Sequence, residues 1–305
     1  MISFEYLTPK SLKEAQADLN KHGTDAKVIA GGTALVIMMK QRLVRPACLI
    51  SLRSVRGINE IALKDGGLRL GGLATHREVE TSVLVRRRWP LLAETYRHVA
   101  TVRVRNMATV GGGLAHADPN QDPPPSLMVL GARIKASSVS GTREIPIDEF
   151  FTDYYETSLR PEEIITEVFV PNPAANSGAA FLKFLPRSAD DYATVSAAAV
   201  LTMDRSKKTF ADARIALGSV GTTPIRAREA EALLVGQPVK AEALREAAEK
   251  AKQLVDPVSD FRGSAAYKKE MAGVFVRRAL EKALDNLEEK TRASKSRQTS
   301  KRRKK

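Results

Sequence analysis

Two glycine clusters carry the chemistry that this sequence announces most directly. Ala30-Gly31-Gly32-Thr33-Ala34-Leu35 follows a short apolar run, Val28-Ile29-Ala30, and leads into an apolar helical stretch. Thr109-Val110-Gly111-Gly112-Gly113 opens a second segment that continues to Asp122 and three consecutive prolines. In each, the expectation is an extended segment, a glycine turn and a helix. Glycine permits positive φ and removes the Cβ that would hold a ligand away from the backbone. Successive N–H groups in such a turn form an anion-binding concavity, and a helix N-terminus adds partial positive charge. Two cradles suit a diphosphate better than a monophosphate, and Thr33 and Thr109 each add a hydroxyl. A pair of tight turns alone would leave the same glycines.

Other chemistries fail on their spacing. No G-x-x-x-x-G-K-[ST] occurs, so there is no P-loop, and no G-x-G-x-x-G, so a Rossmann unit is not expected. Asp118-Pro119-Asn120-Gln121-Asp122 imitates the start of a calcium loop, but Pro123 stands where glycine is needed and Val129 where the bidentate Glu belongs. His116 with Asp118 lacks a third ligand nearby, so no metal is assigned. Ser219 sits in Gly218-Ser219-Val220-Gly221, which is not a nucleophile elbow.

The elements that must hold these clusters can be read from pattern. Ser11 with Glu14 has capping-box spacing, Leu12, Ala15 and Leu19 share a helix face, and Gly23 stops it. Leu49–Leu52, Leu68–Leu70 and Ile164–Val170 read as strands, and Trp89-Pro90 begins a helix expected to end near Val102. A Pro/Asn/Ala/Ser-rich linker, 172–178, places a domain boundary. Beyond it, strands are expected at 181–185, 193–203 and 213–218. Helices are expected at 227–234, 241–254 and 264–287. The domains are thus 1–175, 176–287 and a tail, 288–305.

Charge narrows the partners. The chain of 305 residues carries +14, but 290–305 holds nine basic residues and no acid, leaving +5 for the rest. That tail reads as disordered. A nucleic-acid-binding protein using the tail is an alternative of another class. The 5% aromatic content and the lack of basic–aromatic interleaving disfavour it. The one cysteine, Cys48, excludes an intramolecular disulfide and an all-cysteine cluster within the chain. No apolar run reaches the ~18–20 residues of a membrane span, and no signal-peptide pattern opens the chain, so a cytoplasmic protein is expected.

The two glycine motifs, AGGTAL (30–35) and TVGGGLAHADPNQD (109–122), resemble the FAD-binding medium subunit of molybdenum hydroxylases, the group of aerobic carbon monoxide dehydrogenase and xanthine dehydrogenase. The resemblance continues through EEIITEVFVP (162–171), FLKFLPRSADDYATVSAAA (181–199), Gly218-Ser219-Val220, Pro224–Ala227 and SDFRGSAAYKKEM (259–271), and covers about residues 1–287. It implies an α+β chain: a two-subdomain FAD-binding fold of the vanillyl-alcohol-oxidase (PCMH) type, then a smaller α+β C-terminal domain. It implies non-covalent FAD, its diphosphate wrapped through backbone N–H groups by Lys27, Val28, Ile29, Ala30, Gly31, Gly32, Thr33, Ala34 and Leu35 and by Thr109, Val110, Gly111, Gly112 and Gly113. Asp122 would accept from the adenosine ribose, Ile165 pack near the adenine, Lys183 contact the flavin's polar edge and Tyr192 stand beside the isoalloxazine. Family members often have Asn at Gly113, so FAD binding here is expected to be weaker or differently tuned. No acid–base residue is assigned, because the redox chemistry belongs to the flavin.

The resemblance also implies partners: a large molybdopterin subunit and a small subunit with [2Fe–2S] clusters, together a dimer of heterotrimers. Electrons would pass from the clusters to FAD and on to NAD⁺, a quinone or another acceptor. A stand-alone flavin oxidoreductase of the same fold is the alternative. An extra cluster held by several cysteines, as in the hydroxybenzoyl-CoA type, is excluded by Cys48 standing alone.

Overall fold

The computed structural model describes residues 3–302 except 186, 187 and 189, and leaves out the side chains of 290, 291 and 293–302. The chain first builds β1 (Glu5–Leu7), α1 (Leu12–His22), β2 (Ala26–Ile29), α2 (Leu35–Lys40) and β3 (Cys48–Ser51). The three strands form a parallel sheet in the order β1-β3-β2. Ser11 caps α1 by accepting from Glu14 N at 3.2 Å, and Gly23, at φ 54°, closes it through a bond to the Leu19 carbonyl. A small core of Ala15, Leu19, Cys48, Ile50 and Leu52 lies between helix and sheet.

A second subdomain follows. Its sheet is antiparallel, β4 (Ile61–Lys64), β5 (Gly67–Gly71), β6 (Arg133–Ser138), β7 (Gly141–Pro146) and, after the hairpin β8 (Phe151–Asp153) and β9 (Glu156–Thr157), β10 (Ile164–Pro171). The order is β4-β5-β10-β6-β7, with β8 and β9 apart. Between β5 and β6 the chain makes six short helices: α3 (His76–Thr81), α4 (Val83–Arg88), α5 (Pro90–Arg97), α6 (Val102–Arg105), α7 (Val110–His116) and α8 (Pro123–Val129). The helix expected from Trp89 to near Val102 ends at Arg97, and Ala100, at φ 40°, marks a break before α6 begins. Arg105 fills that break, donating to the carbonyls of Val99 and Ala100 and pairing with buried Glu80 at 3.0 Å. The three prolines start α8 instead of preceding it, since proline's missing N–H costs nothing in a first turn.

The C-terminal domain is an antiparallel sheet of β11 (Ser177–Phe184), β12 (Val195–Met203), β13 (Phe210–Gly218) and β14 (Ile225–Arg226). It is covered by α9 (Arg228–Leu234), α10 (Ala241–Gln253) and α11 (Ala265–Arg302). Alternate residues of β12 serve different cores. Ala197, Ala199 and Leu201 face the core shared with α10 and α11, while Ala198 joins Phe181 and Ala216 in the core of the second subdomain. The sheet is therefore buried on both faces, with β11 against α5 and with β12 and β13 against α8. The 288–305 segment, expected to be disordered, instead continues α11 as far as Arg302; 303–305 lie outside the described residues. No Gly or Pro interrupts the sequence after Gly273, and Glu288 pairs with Arg292 one turn on, at 3.2 Å.

Candidate functional site

The first glycine segment leaves β2 and enters α2. Lys27, Val28 and Ile29 lie in β2, with the Lys27 side chain exposed; Ala30 to Ala34 form the connection, and Leu35 is the first helical residue. Gly32 takes φ 68°. The N–H of Val36 returns to the Gly32 carbonyl at 3.1 Å, but the five amides from Gly31 to Leu35 make no hydrogen bond among the described residues. Five consecutive amides without an intramolecular partner at a strand-to-helix turn are available to an anion.

The second segment is built differently. Thr109 is the N-cap of α7, and Val110 to Gly113 are its first turn, so the glycines lie inside the helix and not before it. Its donors are already used. Val110 N bonds Ala74 O at 2.9 Å, Gly111 N bonds Gly72 O at 2.8 Å, and Gly113 N bonds Thr109 O at 2.9 Å. Gly112 N bonds Thr109 Oγ1 at 3.1 Å. Backbone N–H groups are thus unengaged in the first segment and engaged in the second, whose glycines pack against Gly72 and the Thr109 side chain. A Cβ on Gly111 would lie 2.8 Å from Gly72 O, and one on Gly112 would lie 2.8 Å from Thr109 Oγ1. The two segments touch: a Cβ on Gly112 would lie 3.7 Å from Ala30 Cβ, and one on Gly31 would fall 1.9 Å from the carbonyl oxygen of Met107, just before the second segment. Ile165 sits in β10 at a bulge, its side chain in the core with Val110 and its carbonyl against Gly72.

Asp122 and Lys183 come together. The Lys183 ammonium, with 2% of its side chain exposed, donates to Asp122 Oδ2 at 2.8 Å and to the His98 carbonyl at 3.0 Å. Burial pushes the Asp122 carboxyl up to about 6, although the Lys183 charge and hydrogen bond pull it down. A carboxylate and an ammonium in direct contact address one end of an extended ligand. The two residues expected at opposite ends of the cofactor are thus paired with each other in the folded chain. The separation in sequence hid this, because only the packing of α8 on β12 and β13, and of α5 on β11, closes the distance.

Tyr192, 43% exposed, precedes β12. Partial burial, then hydrogen bonding and charge from Asp118, hold its phenol above the usual range. Asp118 also accepts from Tyr155 OH at 3.2 Å, and burial pushes that phenol up to about 12. The Arg262 guanidinium lies 5.8 Å from the Tyr192 ring centre and pairs with Asp191 at 3.4 Å.

Several site residues went unassigned in the sequence. His76 begins α3 beneath a complete capping box, is buried, and holds its Nε2 3.2 Å from Thr109 O. Burial lowers its pKa to about 4, so the ring is neutral at physiological pH and Nε2–H donates. The adjacent Gly71-Gly72 was the signal available. Buried side-chain atoms without a hydrogen-bond partner also gather here: His76 Nδ1, Gln121 Nε2, Asp122 Oδ1, Thr194 Oγ1, Ser196 Oγ and Ser219 Oγ. A Cβ on Gly113 would stand 3.3 Å from both Gln121 Oε1 and His76 Nε2. Ser196 pairs in register with Lys183 on one side and Gly218 on the other. Buried polar atoms are normally satisfied, so these orphans, two of them on side chains that border Gly113, suit a polar ligand. A hollow of about 770 Å³ lies elsewhere, between Trp89, Pro171, Phe181 and Asn286, and none of these six residues lines it.

The free amides suit a diphosphate, and the orphaned donors and acceptors suit a hydrogen-bonding heterocycle and its polyol, so the residues present fit FAD. No helix among the described residues is long and apolar enough to cross a membrane. Residues 2–173 match the family model for the FAD binding domain in molybdopterin dehydrogenase, and residues 180–283 match the CO dehydrogenase flavoprotein C-terminal domain. The carbon monoxide dehydrogenase medium chain of Afipia carboxidovorans is 37% identical over 281 residues, which is 92% of this chain and 96% of that one. Subunit alpha of the 6-hydroxypseudooxynicotine dehydrogenase complex of Paenarthrobacter nicotinovorans is also 37% identical, over 92% of this chain and 95% of its own. The carbon monoxide dehydrogenase structure from Hydrogenophaga pseudoflava superposes with a TM-score of 0.90 at 38% identity, covering 94% of this chain and 99% of that one. With both domain models matched and the cradle, cap and orphaned polar cluster accounted for by one cofactor, this chain belongs to the FAD-binding medium-subunit family of molybdenum hydroxylase-type dehydrogenases.

Proposed function

We propose that this chain is the flavoprotein subunit of a multi-subunit hydroxylase. It would take electrons from the [2Fe–2S] clusters of a small partner and deliver them to an external acceptor such as NAD⁺ or a quinone. A large molybdopterin partner would oxidise the substrate, in a dimer of heterotrimers. The single observation that carries the reading is the run of unengaged amides from Gly31 to Leu35, in a segment that meets α7 where Ala30 faces Gly112. When bound, non-covalent FAD supplies the redox chemistry. The chain's own residues bind and orient. Gly31, Gly32, Thr33, Ala34 and Leu35 direct their N–H groups at the diphosphate; Gly111, Gly112 and Gly113 let the ligand lie against backbone. Lys183 holds a positive charge at one end, kept in place by Asp122 Oδ2 and the His98 carbonyl, and favours negative charge developing beside it. Asp122 Oδ1 and the hydroxyls of Ser196 and Ser219 accept or donate where the ligand is polar. Neutral His76 offers Nδ1 as an acceptor. Tyr192, steadied by Asp118 and Arg262, covers the exposed side and limits water.

Affinity purification of the full chain from its native host, with visible absorbance, metal analysis and identification of co-purifying chains, tests this reading. One flavin per chain with molybdenum- and iron–sulfur-containing partners is expected. A chain without flavin absorbance even after incubation with FAD would refute it, and turnover of a donor by the isolated chain would favour a stand-alone oxidoreductase.

A further inference from the structure

Away from the cradle, three metal-ligating side chains converge at the open end of the parallel sheet. Glu5 begins β1, His22 ends α1 and Cys48 begins β3. Their donor atoms (one carboxylate oxygen, one imidazole nitrogen and the thiol sulfur) all lie within 4.8 Å of one another. The backbone dictates the meeting. Glu5 and Cys48 are paired in parallel register, and Glu5 N bonds Ala47 O at 2.9 Å, so their side chains leave the same face of adjacent strands. His22 lies three residues beyond Leu19 on α1, and Leu19 packs with Cys48 in the small core, so the helix face that meets the sheet delivers the imidazole to the thiol. None of the three side chains has a hydrogen bond or ion pair among the described residues.

We propose that Glu5, His22 and Cys48 form a binding site for a borderline-soft divalent cation, with zinc the best fit, completed by water. One sulfur, one nitrogen and one oxygen donor around an open fourth position is the set that zinc accepts in tetrahedral geometry, at bonds of roughly 2.0–2.3 Å. Donors on such an ion stand roughly 3.5 Å apart, so the cluster must tighten by about 1 Å. The exposed, unengaged Glu5 carboxylate supplies that freedom, while Cys48, 1% exposed, is the fixed point. The charge balances: a divalent cation meets one carboxylate and one thiolate, and the thiol proton is released on binding. Burial, then the charges of Glu5 and Asp18, raise the free thiol's pKa against a smaller opposing effect of Lys21, and the cation reverses that bias. Asp18, one turn before His22, adds negative charge nearby. An occupied site would pin β1 and α1 to β3, the strand that pairs with β2 and so anchors the first glycine segment.

The test is cobalt titration of the untagged, reduced full chain, because Cys48 is its only cysteine and a thiolate-to-cobalt charge-transfer band has one possible source. One equivalent is expected to give that band in the near ultraviolet together with tetrahedral d–d bands, both displaced by zinc. Cys48→Ser should abolish the charge-transfer band. Glu5→Gln, at an exposed position that leaves the fold intact, and His22→Ala should each weaken cobalt binding by about tenfold or more. No charge-transfer band at millimolar cobalt, or a band whose affinity is unchanged in both Glu5→Gln and His22→Ala, would overturn the site, the latter by showing a thiol binding metal alone.

Discussion

Gly31→Ala probes the contact on which the whole site depends. The new Cβ would fall 1.9 Å from the Met107 carbonyl oxygen and 2.6 Å from its carbon, both backbone atoms. Real Cβ atoms essentially never approach closer than 3.0 Å, so the two segments must separate by about 1 Å. Overpacking of this kind costs roughly 1–3 kcal/mol, which lowers the melting temperature of a domain this size by roughly 3–10 °C. The same displacement swings the free amides away from their target. A hydrogen bond to a charged acceptor is worth about 1.5–3 kcal/mol, so misdirecting even one weakens FAD binding about ten- to a hundredfold. Gly113→Ala is the matched control. Its Cβ would meet only the side-chain tips of Gln121 and His76, at 3.3 Å, and alanine favours the helix in which it sits. That variant should melt no lower than the parent, yet bind FAD more weakly if the ligand lies against the backbone there. Thermal melts with and without FAD, alongside flavin fluorescence titrations, separate the two effects. A Gly31→Ala chain with parental melting temperature and parental FAD affinity would refute the claim that contact between the segments shapes the site.

Three further outcomes follow from the same geometry. The folded Asp122 carboxyl titrates at about 6 against 3.8 for an unperturbed aspartate, so it binds its proton more tightly in the folded chain. The stability this group contributes is therefore fully present below about pH 4 and lost as pH rises through about 6. Relative to the parent, Asp122→Asn should gain about 3 kcal/mol between pH 4 and 7 in urea titrations of the flavin-free chain. Lys183→Met leaves that carboxylate buried without its cation and should cost about 3–5 kcal/mol at pH 8, with a smaller loss at pH 5, where the carboxyl holds its proton. Thr109→Ala removes the α7 cap to Gly112 N and should cost about 1 kcal/mol in urea denaturation, with Thr109→Ser restoring most of it.

Much of the frame was legible because local rules agreed with the fold. Ser11, Glu14 and Gly23 bracket α1 as capping chemistry requires, and the apolar run before Gly31 is β2. Shorter elements escaped: β1, β6 and β7 carry mixed polar patterns, and α3, α4 and α6 are too short for periodicity to register. The expected tail failed for a different reason: composition measures burial, whereas a helix already propagating needs only residues that do not break it.

The sequence by itself determined the family, and it marked two glycine segments where backbone can be closely approached, since missing Cβ atoms are recorded in residue type. How those segments divide the work was decided only by tertiary structure. Thr109, Gly72 and Ala74 satisfy the second set of amides and leave the first set free. The meeting of Asp122 with Lys183, and of Glu5 and His22 with Cys48, belongs to the same level. Each joins residues from different elements whose separation is fixed by sheet register and helix packing, and no local spacing encodes it.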